Sequence, residues 1–134
     1  MTNVASGSFE VKLTPLTPDE ESGDSSLGSM MIDKQFYGDL TAHSKGQMLT
    51  AMTAVEGSAG YVAVERVSGK LHGRDGTFVL QHSGTMARGV QQQTVSVVPD
   101  SGTGELEGLS GEMKITISEG KHYYELKYTL DSGP

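Results

Sequence analysis

Two ionisable residues interrupt the apolar alternation of this chain: Glu65 in Tyr61-Val62-Ala63-Val64-Glu65-Arg66-Val67, and His82 in Phe78-Val79-Leu80-Gln81-His82-Ser83. A carboxylate and an imidazole within hydrogen-bond reach make a proton-transfer pair: one takes a proton from a carbon acid, while the other orients it or balances its charge. Whether they meet depends on strand pairing. Reading Arg74 and Asp75 as the centre of a turn in Gly73-Arg74-Asp75-Gly76 sets Leu71 opposite Phe78, Val67 opposite His82 and Glu65 opposite Gly84. Glu65 and His82 are then diagonal neighbours on the apolar face, and Gly84 leaves space beside the carboxylate. A buried glutamate is costly unless paired or protonated, burial raising its pKa and a protonated His82 lowering it. The same pair also reads as a core ion pair that sets the register.

Other side chains extend the candidate site. Tyr61, Tyr124 and Tyr128 offer phenol donors to a carbonyl, and Met86 belongs to a set of seven methionines, with Met30, Met31, Met48, Met52 and Met113. Such side chains line an adaptable apolar pocket, or fill a core in a chain with three phenylalanines and no tryptophan. The four histidines, His43, His72, His82 and His122, lack metal-ligand spacing, so neither a metal nor another cofactor is expected. His72 reads as outward-facing and His122 as a solvated strand end. Ser83 lies on the strand face opposite His82, and no Gly-x-Ser-x-Gly elbow is present, which argues against a serine hydrolase.

The elements that must position these residues are strands. Eighteen glycines are too many for a helical domain, where each costs about 1 kcal/mol relative to alanine. Between them apolar residues recur with period two: Phe9, Val11, Leu13; Phe36, Leu40, Ala42; Phe78, Leu80, His82. Strands are expected near 6–14, 28–42 with a bend, 46–55, 61–72, 77–86, 90–98, 105–117 and 121–130, enough to close a barrel. The stretch 15–26, with Pro15, Pro18, Asp19, Glu20, Glu21 and Asp24, reads as an exposed acidic connection. Val98 to Gly104 is glycine-rich but lacks a phosphate-binding ending and reads as a turn. A glycine, a charged residue and a leucine recur at Gly38-Asp39-Leu40, Gly69-Lys70-Leu71 and Gly104-Glu105-Leu106, as suits a sharply coiled sheet.

The C-terminal hairpin is the clearest. A turn at Glu119-Gly120 pairs Ile117 with His122, Ile115 with Tyr124, Met113 with Leu126, Gly111 with Tyr128 and Leu109 with Leu130. Lys114 then faces Glu125, and Glu112 faces Lys127, on the wet side.

At 134 residues the chain fits one domain over 1–134, and the absence of cysteine removes disulfide, thiolate-metal and thiol-nucleophile chemistry. A formal charge of −7 without a basic cluster argues against nucleic acid and anionic membrane surfaces as partners. With no basic, apolar leader and no apolar run of membrane length, a cytoplasmic protein is expected.

Four segments carry a resemblance: Gly7 to Lys12, Gly60 to Val67, Phe78 to Met86 and Val98 to Leu106. Within them, His-Ser-Gly-Thr-Met and Ser-Gly-Thr-Gly-Glu-Leu are the most specific stretches. Over nearly the whole chain the sequence resembles a family of small bacterial proteins classed as a domain of unknown function. The resemblance implies an all-β, closed antiparallel barrel of about eight strands, similar to allene oxide cyclase. It implies no reaction, and no motif carries cyclase residues over to positions here. Resemblance to barrels that associate, together with outward Val62, Val64, Val79 and Val98, predicts a homo-oligomer, most simply a dimer. The expected function is a barrel binding an apolar small molecule, with isomerase- or lyase-like proton transfer by Glu65 and His82. A non-catalytic binder of hydrophobic ligands and a structural oligomer are the alternatives.

Overall fold

Period-two alternation gives each strand one dry and one wet face, and a sheet with a single dry face buries it by curling closed. In the computed structural model, which describes residues 2–16 and 26–130, eight antiparallel strands do so in chain order. They are β1 (Asn3–Pro15), β2 (Leu27–Gly38), β3 (Leu40–Met52), β4 (Ala59–Leu71), β5 (Arg74–Ala87), β6 (Val90–Val97), β7 (Leu109–Ser118) and β8 (Lys121–Leu130). Each pairs with its sequence neighbours, and β8 returns to β1, so the barrel is closed. The helical content among the described residues is one 3-10 turn at Gly104–Leu106. Among the described residues no helix is long and apolar enough to cross a membrane. Of the expected acidic connection, Pro15 ends β1, Leu16 and Ser26 flank it, and 17–25 lie outside the described residues.

Connections in such a meander alternate between the two ends. One end carries the β2–β3 corner, the β4–β5 turn and the 98–108 connection. It is plugged: Leu40, Leu71 and Leu106, the leucines of the three glycine-charge-leucine echoes, are each 0% exposed, against buried Phe78, Leu80, Leu109 and Leu126. Each such side chain contributes about 1.5–3 kcal/mol by leaving water. Among the described residues nothing plugs the opposite end, where 53–58, 88–89 and 119–120 turn and a cavity lies.

The β7–β8 pairs are those expected, from Leu109 opposite Leu130 to Ile117 opposite His122, with Lys114 facing Glu125 and Glu112 facing Lys127. Glu119 and Gly120 take φ of 51° and 79°, as a tight hairpin turn with two left-handed residues requires.

The β4–β5 pairing departs from expectation. Val67 faces Phe78, Glu65 faces Leu80, Ala63 faces His82 and Tyr61 faces Gly84. His72 and Gly73, with φ of 48° and 80°, make the turn instead of Arg74 and Asp75. Gly76 is needed for packing: a Cβ there would lie 2.1 Å from the Thr103 carbonyl oxygen of the 98–108 connection. The slip is two residues per strand, an even number, so every side chain keeps its face.

Two other boundaries move. The expected bent strand over 28–42 is two strands, because the chain reverses at Gly38 (φ 103°), and β3 starts at Leu40. The Asp39 N–H donates to the Ser6 carbonyl at 3.1 Å, and its carboxylate accepts the Ser6 N–H at 3.0 Å. The expected strand from 105 begins at Leu109, because left-handed Gly104 and Gly108 fold the intervening residues into the turn that buries Leu106. Between β6 and β7 only Val95–Met113 and Ser96–Glu112 pair, leaving a cleft of about 590 Å³ in the wall. On the outer surface Val62 and Val64 are exposed, while Val79 and Val98 are half-buried.

Candidate functional site

The inward rows of four consecutive strands meet midway up the barrel. β2 contributes Lys34 between Ile32 and Phe36, β3 contributes Ser44, β4 contributes Glu65 and β5 contributes His82. Glu65 is 0% exposed. Its Oε1 accepts from Ser44 Oγ at 2.8 Å; its Oε2 accepts from Lys34 Nζ at 2.8 Å and from His82 Nε2 at 2.7 Å. The diagonal β4–β5 relationship survives the register slip, which is why Glu65 and His82 still touch. Gly46, and not Gly84, is the glycine opposite Glu65. A Cβ on Gly46 would come within 2.1 Å of the Val64 carbonyl oxygen and 2.6 Å of Glu65 Cα.

Burial alone would push the Glu65 carboxyl up. The His82 hydrogen bond and the Lys34 ammonium more than offset that and hold it at about 2, so the group is a carboxylate at neutral pH. Glu65 is therefore a fixed anion that positions its neighbours, too weak a base to collect a proton. Lys34 balances its charge, and its ammonium also lies 4.9 Å from the Phe9 ring centroid. The described hydrogen bond of the His82 ring runs through Nε2. With Nε2–H held by the carboxylate, a neutral His82 presents Nδ1 as its acceptor.

Lys34 and His82 border a cavity of about 170 Å³ in the open end, walled by Phe9, Val11, Ile32, Met48, Tyr61, Ile115 and His122. His122 is half-buried, tilted against Phe9 with ring centroids 5.1 Å apart, and not the solvated strand end expected. Beyond Met48 and Tyr61, a second hollow of about 200 Å³ opens to the rim, lined also by Thr50, Met52 and Met86. Tyr61 stands between the two because its ring lies across Gly84, and its hydroxyl accepts a hydrogen bond from Gln93 Nε2. Gly84→Ala would put a Cβ 2.3 Å from Tyr61 Cε1. The expected result is a displaced ring, a broken Gln93 contact and a loss of about 1–3 kcal/mol. Chemical denaturation, with the Tyr61 ring proton shifts, checks this; unchanged shifts would show that the ring does not lie there.

Of the residues expected at the site, Glu65, His82, Tyr61 and Met86 gather at or below the mouth, whereas Tyr124 and Tyr128 do not. The Tyr124 hydroxyl accepts from Leu40 N–H at 2.8 Å and donates toward the Tyr37 carbonyl at 2.9 Å, bracing the plugged end. The Tyr128 hydroxyl bonds His72 Nδ1. His72 is exposed, as expected, while its ring at the turn reaches the core tyrosine. Burial raises both phenol pKa values, so both remain neutral hydrogen-bonding groups.

Lys34, Ser44 and His122 were not anticipated. A signal for the first two exists, since continuing the period-two row back from Phe36 gives Lys34 and on from Ala42 gives Ser44. A lysine on a dry face calls for a buried anion.

The sequence profile of a family described as "Protein of unknown function (DUF3224)" matches residues 5–128. A crystal structure of a protein of unknown function from that family, from Shewanella oneidensis MR-1, superposes with a TM-score of 0.92. It is 50% identical, with 99% of this chain and 100% of that chain covered. No curated protein is matched.

Proposed function

The chain belongs to the DUF3224 family, and since that membership brings no activity with it, we propose from the site's geometry that the barrel binds a small molecule through its open end. The ligand is largely apolar, with one acceptor oxygen set against the Lys34 ammonium. The observation that carries this reading is the pairing of a satisfied, buried carboxylate with two polar groups that border an apolar cavity. Mostly apolar walls with a few convergent polar groups are what small-molecule sites share. Glu65 and Lys34 cancel in charge, so the cavity suits a neutral carbonyl or hydroxyl better than a second carboxylate beside Glu65.

A second reading rests on the held Nε2 of His82. With a carbonyl oxygen on the Lys34 ammonium, Nδ1 is the ring atom left to take an α-proton. The C–H electron pair moves into the carbon–carbon bond, the carbonyl oxygen becomes an enolate next to Lys34, and the imidazole becomes imidazolium. Returning the proton to the α-carbon completes an exchange, and in a β,γ-unsaturated ketone returning it to the γ-carbon of the dienolate completes an isomerisation.

The test uses 2-butanone in deuterium oxide. Saturation transfer from the protein to the ketone is expected, with shifts at His82 and Met48 signals; their absence would overturn the binding reading. Deuterium uptake at the ketone's α-carbons is expected for the second reading, falling by about 10²–10⁴-fold in His82→Gln with binding retained. Binding without uptake would leave a binder and remove the enzyme.

A further inference from the structure

We infer that the ligand is an elongated aliphatic carbonyl compound, with its oxygen at Lys34 and its unbranched tail laid on the methionine-lined hollow beyond Tyr61. The inference rests on the inner-cavity reading above and names the substrate class for it.

An inner cavity of about 170 Å³ has room for little more than a head group. It abuts the outer hollow of about 200 Å³, and Met48 and Tyr61 line both. Among the described residues no Asp, Glu, Lys, Arg or His lines that hollow, so these surroundings offer little to a second charged group and much to hydrocarbon.

The inward row of β3 makes the track. Ser44 bonds Glu65, then Met48 forms the shared wall, and Met52 reaches the rim about 13 Å of strand beyond Met48. Met52 is 61% exposed, a large apolar side chain left in water at a site that core packing does not explain. Met86 faces it from β5. Unbranched thioether side chains adapt to a flexible chain without demanding one shape, as a tail-binding surface needs. Tyr61, held over Gly84 and by Gln93, divides head from tail.

The experiment is calorimetric titration of the wild-type protein with 2-butanone, 2-hexanone, 2-octanone and 2-decanone, and with hexanoate and octanoate for comparison. Affinity is expected to tighten by about fourfold per added methylene while the hollow fills, then level off. Alkanoates are expected to bind at least tenfold more weakly than ketones of equal length. Met86→Gln and the solvent-facing Met52→Gln are expected to weaken 2-octanone by about three- to tenfold and to leave 2-butanone unchanged. An affinity that stays flat beyond 2-butanone overturns the inference while the inner-cavity reading stands. So does a rise with length that neither methionine variant reduces, or a preference for alkanoates. Failure of every ketone, 2-butanone included, overturns the inner-cavity reading itself.

Discussion

Glu65→Gln is expected to destabilise the barrel by about 3–5 kcal/mol, the range for removing one partner of a buried ion pair. The amide keeps the shape of the side chain, so the loss is electrostatic. Lys34, 6% exposed, would face a neutral oxygen at best. Ser44 and His82 would meet an amide in place of an anion that accepts from both. Thermal unfolding should fall by roughly 12–20 °C for a domain of this size. The second arm is Lys34→Met in the Glu65→Gln background. It removes the orphaned charge, and the double variant is expected to be more stable than Glu65→Gln alone. Contacting groups of this kind couple by about 0.5–3 kcal/mol. Additive behaviour, or a single-variant loss below about 1 kcal/mol, would mean that the pair is not desolvated.

The second large effect is on acid stability. The folded-state pKa of Glu65 is about 2, against 4.5 for an unperturbed glutamate. A depressed folded pKa contributes stability that is fully present above the unfolded value and lost as the pH falls through the folded one. The window is therefore pH 4.5 down to about 2, and the amount is about 3 kcal/mol at roughly 1.4 kcal/mol per unit. Urea unfolding across this range should show the wild type losing that increment and Glu65→Gln lacking it, so the two curves converge toward pH 2. In His82→Ala the carboxyl loses a hydrogen bond that favours its charged form, so the increment should be smaller and its loss complete at a higher pH. Parallel curves for wild type and Glu65→Gln down to pH 2 would exclude the depressed pKa.

Both effects centre on residues that sequence reading reaches unevenly, and the reasons are physical. Glu65 and His82 announce themselves because side chains alternate strictly along a strand, so a charge in the dry row is conspicuous. Which residue faces which is a weaker signal. It depends on turn chemistry, and His72-Gly73 lacks the Asn-Gly or Asp-Gly mark of a tight hairpin, while nearby Asp75-Gly76 carries it. Gly76 is glycine for a contact with Thr103, which is distant in sequence and cannot be seen locally. In β7–β8 the cross-strand charge pairs add a second constraint, and there the register is legible. Lys34 is hidden by habit: a lysine is read as solvated until the phase of its strand is extended through it. Tyr124 and Tyr128 were legible as inward-facing but not as occupied, because their partners, Leu40 at the start of β3 and His72 in the β4–β5 turn, lie 84 and 56 residues away in sequence.

The two-rung ladder between β6 and β7 means that closing this barrel does not remove its strand edges. Val90 to Thr94 on one side, and Lys114 to Ser118 on the other, lie beyond the paired residues of that ladder. An unpaired edge is a template on which a foreign strand can add, the first step toward aggregation. Here the template is defended by chemistry instead of by closure. Gln93 and Thr94 border the cleft from β6, and Glu112, Lys114, Glu125 and Lys127 border it from β7 and β8. An incoming strand would have to strip water from those charges before gaining a hydrogen bond. Evolution can thus keep the wall loose at this point, where opening it severs the fewest interstrand bonds, without making the protein self-adhesive.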